Sequence, residues 1–274
     1  MKYMHFNSSC SYAGMANMLA LQSVDTEDYK IALDMGLPYF LRYEEASGAY
    51  LNGPMLQSAE WFNLYLKPRG FCYIEQFVSR EMVFRALYPG SMLGIQVTPQ
   101  SKHAVVFLGE ENGAYKFLNN KWENSEEPDY LELSAEECLK RLPEQVVVGH
   151  LEKCEKEKVD LWPYFEEALV NWEKLRKELQ QFISKVQNTQ VLKESMNRLF
   201  RPLLLDGISM VKLLEEWEME ACLTNLQKNY LEAVRKNQEV CLAEEFDCKE
   251  IDWAIDVFVQ RIEKKRRNDD GKFI

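Results

Sequence analysis

The pattern of apolar and polar positions changes character near residue 155. Before that point, short β-branched or aromatic runs bounded by turn residues predict strands at 91–97, 103–109, 114–120 and 145–151. The polar tetrad EENG at 110–113 separates the second run from the third and predicts a hairpin turn. Ser134 with Glu137 three residues on matches a capping box and predicts a helix start. These signals predict an α+β domain with an antiparallel sheet over residues 1–153.

From residue 154 onward, apolar residues recur at steps of three and four, which is typical of amphipathic helices. The periodicity predicts four helices, at 163–187, 190–200, 208–237 and 249–267. The second helix is expected to end before Pro202, because proline cannot continue the hydrogen-bond ladder. The pattern therefore predicts a second, all-α domain over 154–274, a helical bundle that could also mediate homo-oligomerisation.

Composition narrows the function classes. The 274 residues carry a net charge of −11 without a basic stripe, so nucleic acid is not an expected partner. The sequence has neither a long apolar run nor a signal-like N-terminus, so we expect no membrane association. The seven cysteines are odd in number and never in C-x-x-C spacing, which favours free thiols in a reducing, cytoplasmic setting. We expect no metal and no cofactor.

The segment HFNSSCSYAGMANML at 5–19 places a cysteine where a helix should begin. Asn7 and the two serines after it are good N-cap residues, so Cys10 is expected in the first helical turn. There, the helix dipole and free backbone N–H groups favour a thiolate. Ala13 and Gly14 would let this helix pack closely on a neighbour. Two interpretations stay open: Cys10 is a nucleophile, or it is a small residue of the core.

A nucleophilic cysteine needs a base, and the chain has only three histidines, at positions 5, 103 and 150. His103 opens the predicted strand HAVVFLG, where its ring can project into a cleft. A third residue must hold the imidazole in its productive tautomer, and Asn119 and Asn120 lie across the predicted hairpin. Strand alternation sends these two side chains to opposite faces, so only one can meet His103.

Cysteine at a helix start, then HAVVFLG, then YKFLNNKW resembles the papain-like cysteine peptidase superfamily. The sixteen positions from His103 to Asn119 match the family spacing, and Trp122 is similar to the tryptophan that shields the family's asparagine. The resemblance implies a papain-like domain over 1–153 with a catalytic triad of Cys10, His103 and Asn119. Asn120 is the alternative orienter, because Trp122 follows it by the family's usual two positions.

The compact spacing between Cys10 and His103 is more similar to the bacteriocin-processing, or double-glycine leader, peptidases than to papain itself. A looser resemblance is to the N-terminal domain of butirosin biosynthesis protein H, a family that transfers acyl groups from a carrier protein. The resemblance implies a cysteine-dependent peptidase, amidase or acyltransferase that acts on a peptide, an amide or an acyl carrier.

Two departures from the family bear on activity. The family places a glutamine, which donates to the oxyanion, six residues before the cysteine, and here that position is Met4. Asn7, His5 and Gln57 each carry an N–H that can substitute. Ser11 also replaces the glycine that follows the family's cysteine. The alternative function is therefore a papain-like domain that binds a peptide, carrier protein or partner without turnover.

Overall fold

A computed structural model gives the fold for residues 1–245 and 247–268, with side chains described up to Lys265. The helices in chain order are α1 (Cys10–Leu21), α2 (Asp28–Asp34), α3 (Ala59–Leu66), α4 (Val83–Ala86), α5 (Ala135–Lys140), α6 (Trp162–Ile183), α7 (Thr189–Ser195), α8 (Arg201–Leu204), α9 (Asp206–Leu213), α10 (Trp217–Arg235) and α11 (Cys248–Asn268). The strands are β1 (Leu41–Glu44), β2 (Ala49–Asn52), β3 (Phe71–Ser79), β4 (Met92–Thr98), β5 (Ser101–Glu111), β6 (Ala114–Asn119), β7 (Tyr130–Ser134), β8 (Gln145–Lys153), β9 (Val186–Gln187) and β10 (Val240–Cys241).

The chain divides into two compact units that are not continuous in sequence. The first unit contains Met1–Met35 and Gln57–Val159, and the second contains Gly36–Leu56 and the chain from Asp160. The sequence predicts one domain over all of 1–153, whereas in the structure the segment 36–56 belongs to the second unit. This segment contains the β1–β2 hairpin. Its local sequence pattern does not indicate which of the two units the hairpin belongs to.

The first unit is an α+β fold built on a six-stranded antiparallel sheet. The strand order is β3-β8-β4-β5-β6-β7, so β3 and β7 form the two edges. The predicted strands correspond to β4, β5, β6 and β8, while β3 and β7 were not predicted. The β5–β6 hairpin turns at Asn112 and Gly113, whose φ values of 53° and 80° are those of a tight two-residue turn. The capping box of Ser134 and Glu137 opens α5, as expected.

The two faces of the sheet differ in what covers them. One face is a dry apolar core under α4 and α5, to which the sheet contributes Leu93, Ile95, Val97, Val105, Phe107, Phe117, Leu131, Leu133, Val146 and Val148. Val83 of α4 and Cys138 of α5 close this core, and both are fully buried. The other face carries α1 and α3. Alternation along the strands separates the two sets of side chains.

Helix α1 is buried almost all round, because every residue from Ser11 to Leu19 is removed from solvent. A helix of this kind belongs in the interior of the unit rather than on its surface. Gly14 permits the close approach: a Cβ there would lie 2.4 Å from Sδ of Met92 and 2.7 Å from Nδ2 of Asn120. The sequence expectation that this helix packs tightly on a neighbour is confirmed.

The second unit is mostly helical but not all-α as predicted. It contains two small antiparallel ladders, β1–β2 and β9–β10. Its helices pack through large buried side chains, and the indole of Trp172 on α6 stacks on the ring of Phe258 on α11 with centroids 4.6 Å apart. Among the described helices of the chain, none combines the length and apolar character needed to cross a bilayer.

Two helix boundaries in this unit differ from the prediction. The expected single helix over 208–237 is interrupted: α9 ends at Leu213, and Glu215 takes a left-handed φ of 57° before α10 begins. The expected stop before Pro202 is also wrong. A π-helical turn at Met196–Phe200 leads directly into α8, and Pro202 lies in the first turn of that helix, where its missing N–H costs little.

Candidate active site

The first unit contains a cleft of about 320 Å³ at the N-terminal end of α1. The end of the cleft next to α1 is lined by Cys10, Ser11, Gln57, His103 and Ala104. From there the cleft crosses the sheet face over β4 and β8 as far as β3, where Tyr73 and Glu75 line it. Three of the residues that the sequence singled out, Cys10, His103 and Gln57, therefore share one cleft.

Cys10 is the first residue of α1 and is partly exposed as a free thiol. Ser9, the N-cap residue, does not cap the helix with its side chain. Its hydroxyl instead donates to a carboxylate oxygen of Asp28 at 2.7 Å. The N–H groups of the first turn of α1 are therefore not taken by the Ser9 side chain, and those of Cys10 and Ser11 act on the thiol and lower its pKa.

The Cys10 sulfur lies where the pairing between β5 and β6 ends. Pairing between β5 and β6 stops at Val105 and Asn119. Beyond that point, the N–H of Ala104 donates to Sγ of Cys10 at 3.5 Å, and the C=O of Ala104 accepts from the Asn120 amide at 2.7 Å. The thiol thus lies against the residue that follows His103.

Burial raises the pKa of the Cys10 thiol above its ordinary value of 9.0. Hydrogen bonds from the Ala104 backbone and from the backbone and side chain of Ser11 lower this pKa, but by less than burial raises it. The first turn of α1 was expected to favour a thiolate, and burial of Cys10 outweighs that effect. Desolvation disfavours the charged form more than the first turn of α1 favours it. A reaction at Cys10 needs a base that removes the proton as the sulfur attacks.

The hydrogen bonds of Asn119 fix the tautomer of His103. Nδ2 of Asn119 donates to the carbonyl of Pro128 at 2.9 Å, so the amide oxygen must be the atom that faces the ring. That oxygen lies 3.0 Å from Nδ1 of His103. Because an amide oxygen only accepts, Nδ1 carries the proton and Nε2 is the basic nitrogen. Asn119 is fully buried, so this contact is shielded from water.

A carboxylate that the sequence analysis missed completes this group. Oε2 of Glu127 lies 3.5 Å from Nδ1 of His103 and 3.5 Å from Nδ2 of Asn119. The other oxygen of Glu127 accepts from the Ser101 hydroxyl at 2.7 Å. Glu127 therefore contacts both His103 and Asn119. Glu127 lies in the irregular loop before β7, where no periodic signal marks it.

Asn120 turns away from His103, as strand alternation requires of one of the two asparagines. Its Oδ1 accepts from the Asn17 amide of α1 at 2.9 Å, and its Nδ2 donates to Ala104. Asn120 therefore joins α1 to the end of β5, whereas Asn119 meets the imidazole. Trp122, the tryptophan on which the resemblance relies, is 42% exposed.

The three alternative oxyanion donors lie in different places. Gln57 lines the cleft, where its Oε1 accepts from the Ser11 hydroxyl at 2.9 Å and its Nε2 donates to the Ser8 carbonyl at 3.2 Å. His5 and Asn7 are both exposed, and Nδ1 of His5 contacts Asp28 at 2.6 Å. Neither of them is among the described residues that line the cleft.

The position six residues before the cysteine carries no donor to the cleft. Met4 is buried and forms an isolated bridge with Trp122, and its N–H donates to the Lys121 carbonyl. Its side chain has no N–H to offer an oxyanion. Gln57 is therefore the one of the three predicted donors that lines the same cleft as Cys10 among the described residues.

Within the part of the chain that the structure describes, no hydrogen bond joins the Cys10 thiol to the His103 ring. The two residues share the lining of the cleft. No cluster of His, Cys, Asp and Glu among the described residues is arranged to hold a metal ion.

Comparisons with protein-family models and with curated protein sequences find no match to this chain.

Proposed function

We propose that the first unit is a papain-like, cysteine-dependent acyl-transfer domain. Cys10 is its nucleophile, His103 its base and Asn119 the residue that orients the base. One observation supports this above the others. Oδ1 of Asn119 lies 3.0 Å from Nδ1 of His103, and the N–H of Ala104, the residue after His103, donates to Sγ of Cys10 at 3.5 Å. These two contacts support the proposal because they bring the thiol beside the residue next to His103 and bring the His103 ring to Asn119.

The reaction begins when Nε2 of His103 accepts the thiol proton as Sγ of Cys10 forms a bond to the carbonyl carbon of the substrate. The bond to the leaving group then breaks, and His103 returns the proton to the departing amine or thiol. The acyl group is now a thioester on Cys10. Water or an amine attacks this thioester, with His103 again accepting the proton, and the thiol is regenerated.

Negative charge develops on the carbonyl oxygen during the attack. The backbone N–H of Cys10, in the first turn of α1, is one donor for this charge in the proposal. Gln57 is the second, through the Nε2 that also donates to the Ser8 carbonyl at 3.2 Å, because an amide NH2 carries two N–H donors. Substrates of this chemistry are peptides, amides or thioesters on an acyl carrier.

The proposal is tested with a 4-nitrophenyl ester that carries a fluorescent acyl group, called the ester probe below. We expect a burst of 4-nitrophenolate, with the fluorophore on Cys10 and not on the six other cysteines. The matched control is Cys10→Ser, which should remove both the burst and the label. Equal labelling of several cysteines without a burst would contradict the proposal.

A second candidate function is binding without turnover. Two observations favour it: burial raises the pKa of the Cys10 thiol, and the buried Met4 supplies no side-chain donor. Under this alternative, the cleft binds a peptide or carrier segment and the ester probe gives no burst. Wild type and Cys10→Ser would then bind the same ligands with equal affinity and leave them intact.

A further inference from the structure

A side chain of α3 bonds to the edge strand β3 in the way that a paired strand would. β3 pairs with β8 on one side only, because it is the end of the strand order. On its other side, Asn63 of α3 contacts the backbone of Tyr73 twice: Oδ1 accepts from the Tyr73 N–H at 2.7 Å, and Nδ2 donates to the Tyr73 carbonyl at 3.0 Å. One asparagine thus makes the pair of bonds that a neighbouring strand would make.

These two bonds fix which backbone groups of β3 face outward. In an antiparallel ladder, residues alternate between those that bond to the partner strand and those that do not. Tyr73 directs its N–H and C=O away from β8, so Glu75 and Phe77, two and four positions on, do the same. Within the described chain, no strand pairs with this side of β3.

The side chains of the same residues face the cleft. Tyr73 and Glu75 line it, and so does Val147, the β8 residue directly opposite Phe77. Phe77 is 72% exposed and Val147 is 39% exposed, so together they form an apolar shelf at the outer end of the cleft. Cross-strand partners lie on one face, which makes this shelf continuous with the floor of the cleft.

We propose that the outer side of β3 at Glu75–Phe77 binds an extended peptide segment of the substrate as an added strand. The peptide places an apolar side chain on the shelf of Phe77 and Val147 and a basic side chain beside Glu75. This inference rests on the proposed function and names its substrate class: a peptide, or a protein with an extended segment. A small amide has no backbone that could pair with these two residues.

The dimensions agree with a substrate that continues from the edge to the thiol. Three strand spacings separate β3 from β5, or about 14 Å at the usual spacing. An extended chain covers that distance in about four residues. The bound segment therefore places the reacting carbonyl several residues from the paired strand. A second copy of this chain would pair along the edge without entering the cleft.

The test uses the full-length Cys10→Ser chain, so that binding is measured without turnover. The probes are acetylated, amidated octapeptides of threonine in which alternate positions carry Val, Leu or Phe and one further position carries Lys or Arg. Chemical shifts of the ¹⁵N-labelled protein are followed during titration. We expect the amides of Glu75 and Phe77 to shift and to become protected from exchange, while those of Ile74 and Gln76, which face β8, stay in place.

Two controls isolate the backbone pairing. N-methylation of the peptide residues whose N–H faces β3 should abolish binding, whereas methylation at the intervening residues should leave it intact. Glu75→Lys should weaken binding of the basic peptides at least about tenfold and favour acidic ones.

The proposal is overturned if no peptide of the panel binds at millimolar concentration, or if the shifts lie away from β3. It is also overturned if the unliganded chain associates with itself and the association shifts the same two amides, since the edge then serves a second copy. Because Cys10→Ser cannot turn over, these results do not depend on the ester probe. A burst without peptide binding would retain the proposed function and reject this one.

Discussion

A helix with a cysteine covers each face of the six-stranded sheet: α5 carries Cys138 and α1 carries Cys10. The two thiols have different surroundings. Cys138 lies on the dry face, fully buried among apolar side chains, and burial raises its pKa to about 11. Cys10 lies on the other face, where burial also raises its pKa. What distinguishes Cys10 is a hydrogen bond from Ala104 and a cleft shared with His103. In this account, a neighbouring base, rather than an acidic thiol, makes one cysteine reactive.

The comparison also separates two kinds of polar network. Asn119 and Glu127 surround the proton-bearing nitrogen of His103. Asn17 and Asn120 form a second network that joins α1 to β5. The first network serves the chemistry in the proposal, and the second holds the helix that carries Cys10. Substitutions in the first network should therefore slow acylation of Cys10, whereas substitutions in the second should lower the free energy of unfolding.

The largest expected effect comes from removing the base. His103→Ala should slow acylation of Cys10 by the ester probe about 10²- to 10⁴-fold, because general-base assistance is lost. The matched control is His150→Ala, a histidine of β8 that packs against Tyr88 and is not among the described cleft residues. Rates that fall equally in both variants would contradict the role of His103.

The two asparagines should separate rate from stability. Asn119→Ala should slow acylation about 10- to 100-fold, since it removes a hydrogen bond that fixes the imidazole. Asn120→Ala should instead lower the free energy of unfolding by about 1–3 kcal/mol, because Asn17 and Ala104 lose a buried partner. Stopped-flow acylation and urea unfolding measure the two effects. A greater loss of rate in Asn120→Ala would show that Asn120 is the orienter.

Gly14 tests the close packing that holds α1 on the sheet. Glycine to alanine in an exposed helix stabilises by roughly 0.5–1 kcal/mol. At Gly14 the sign should reverse, with a loss of about 1–3 kcal/mol, because the added Cβ would strike the buried side chains of Met92 and Asn120. Urea unfolding of Gly14→Ala measures this difference. A stabilised variant would mean that the helix has room to move away from the sheet.

The smallest effect concerns the thiol on the dry face. The pKa of Cys138 is raised from 9.0 to about 11, so folding holds this thiol in its neutral form. Its contribution to the free energy of unfolding is complete below pH 9 and is lost as the pH rises toward 11. The variant Cys138→Ala should lose less stability than wild type between pH 9 and 11. Parallel losses in urea unfolding across that range would contradict the raised pKa.

Much of the first unit could be predicted because its signals are local. The strand that starts at Ser101, the Asn112–Gly113 turn and the capping box at Ser134 each follow from a few adjacent residues. The spacing from His103 to Asn119 encodes a hairpin and hence a contact, so two members of the site could also be found in advance.

Other features depend on contacts that adjacent residues do not reveal. Glu127 meets His103 only because a loop returns over the sheet, and no pattern in that loop marks it. The raised pKa of Cys10 depends on how deeply α1 is buried, which the N-cap residues do not show. Strand β3 was not predicted because its apolar and polar residues do not alternate with burial. Apolar residues such as Phe77 are exposed in it.

The most direct test of the central claim is peptide mapping by mass spectrometry after reaction with the ester probe at neutral pH. Wild type and His103→Ala are digested, and acylation is quantified at each of the seven cysteines. The account predicts that wild type carries the acyl group at Cys10 within the burst, and that His103→Ala carries almost none there in the same time. Acylation of Cys10 at the same rate in both proteins, or no preference for Cys10 in wild type, would contradict it.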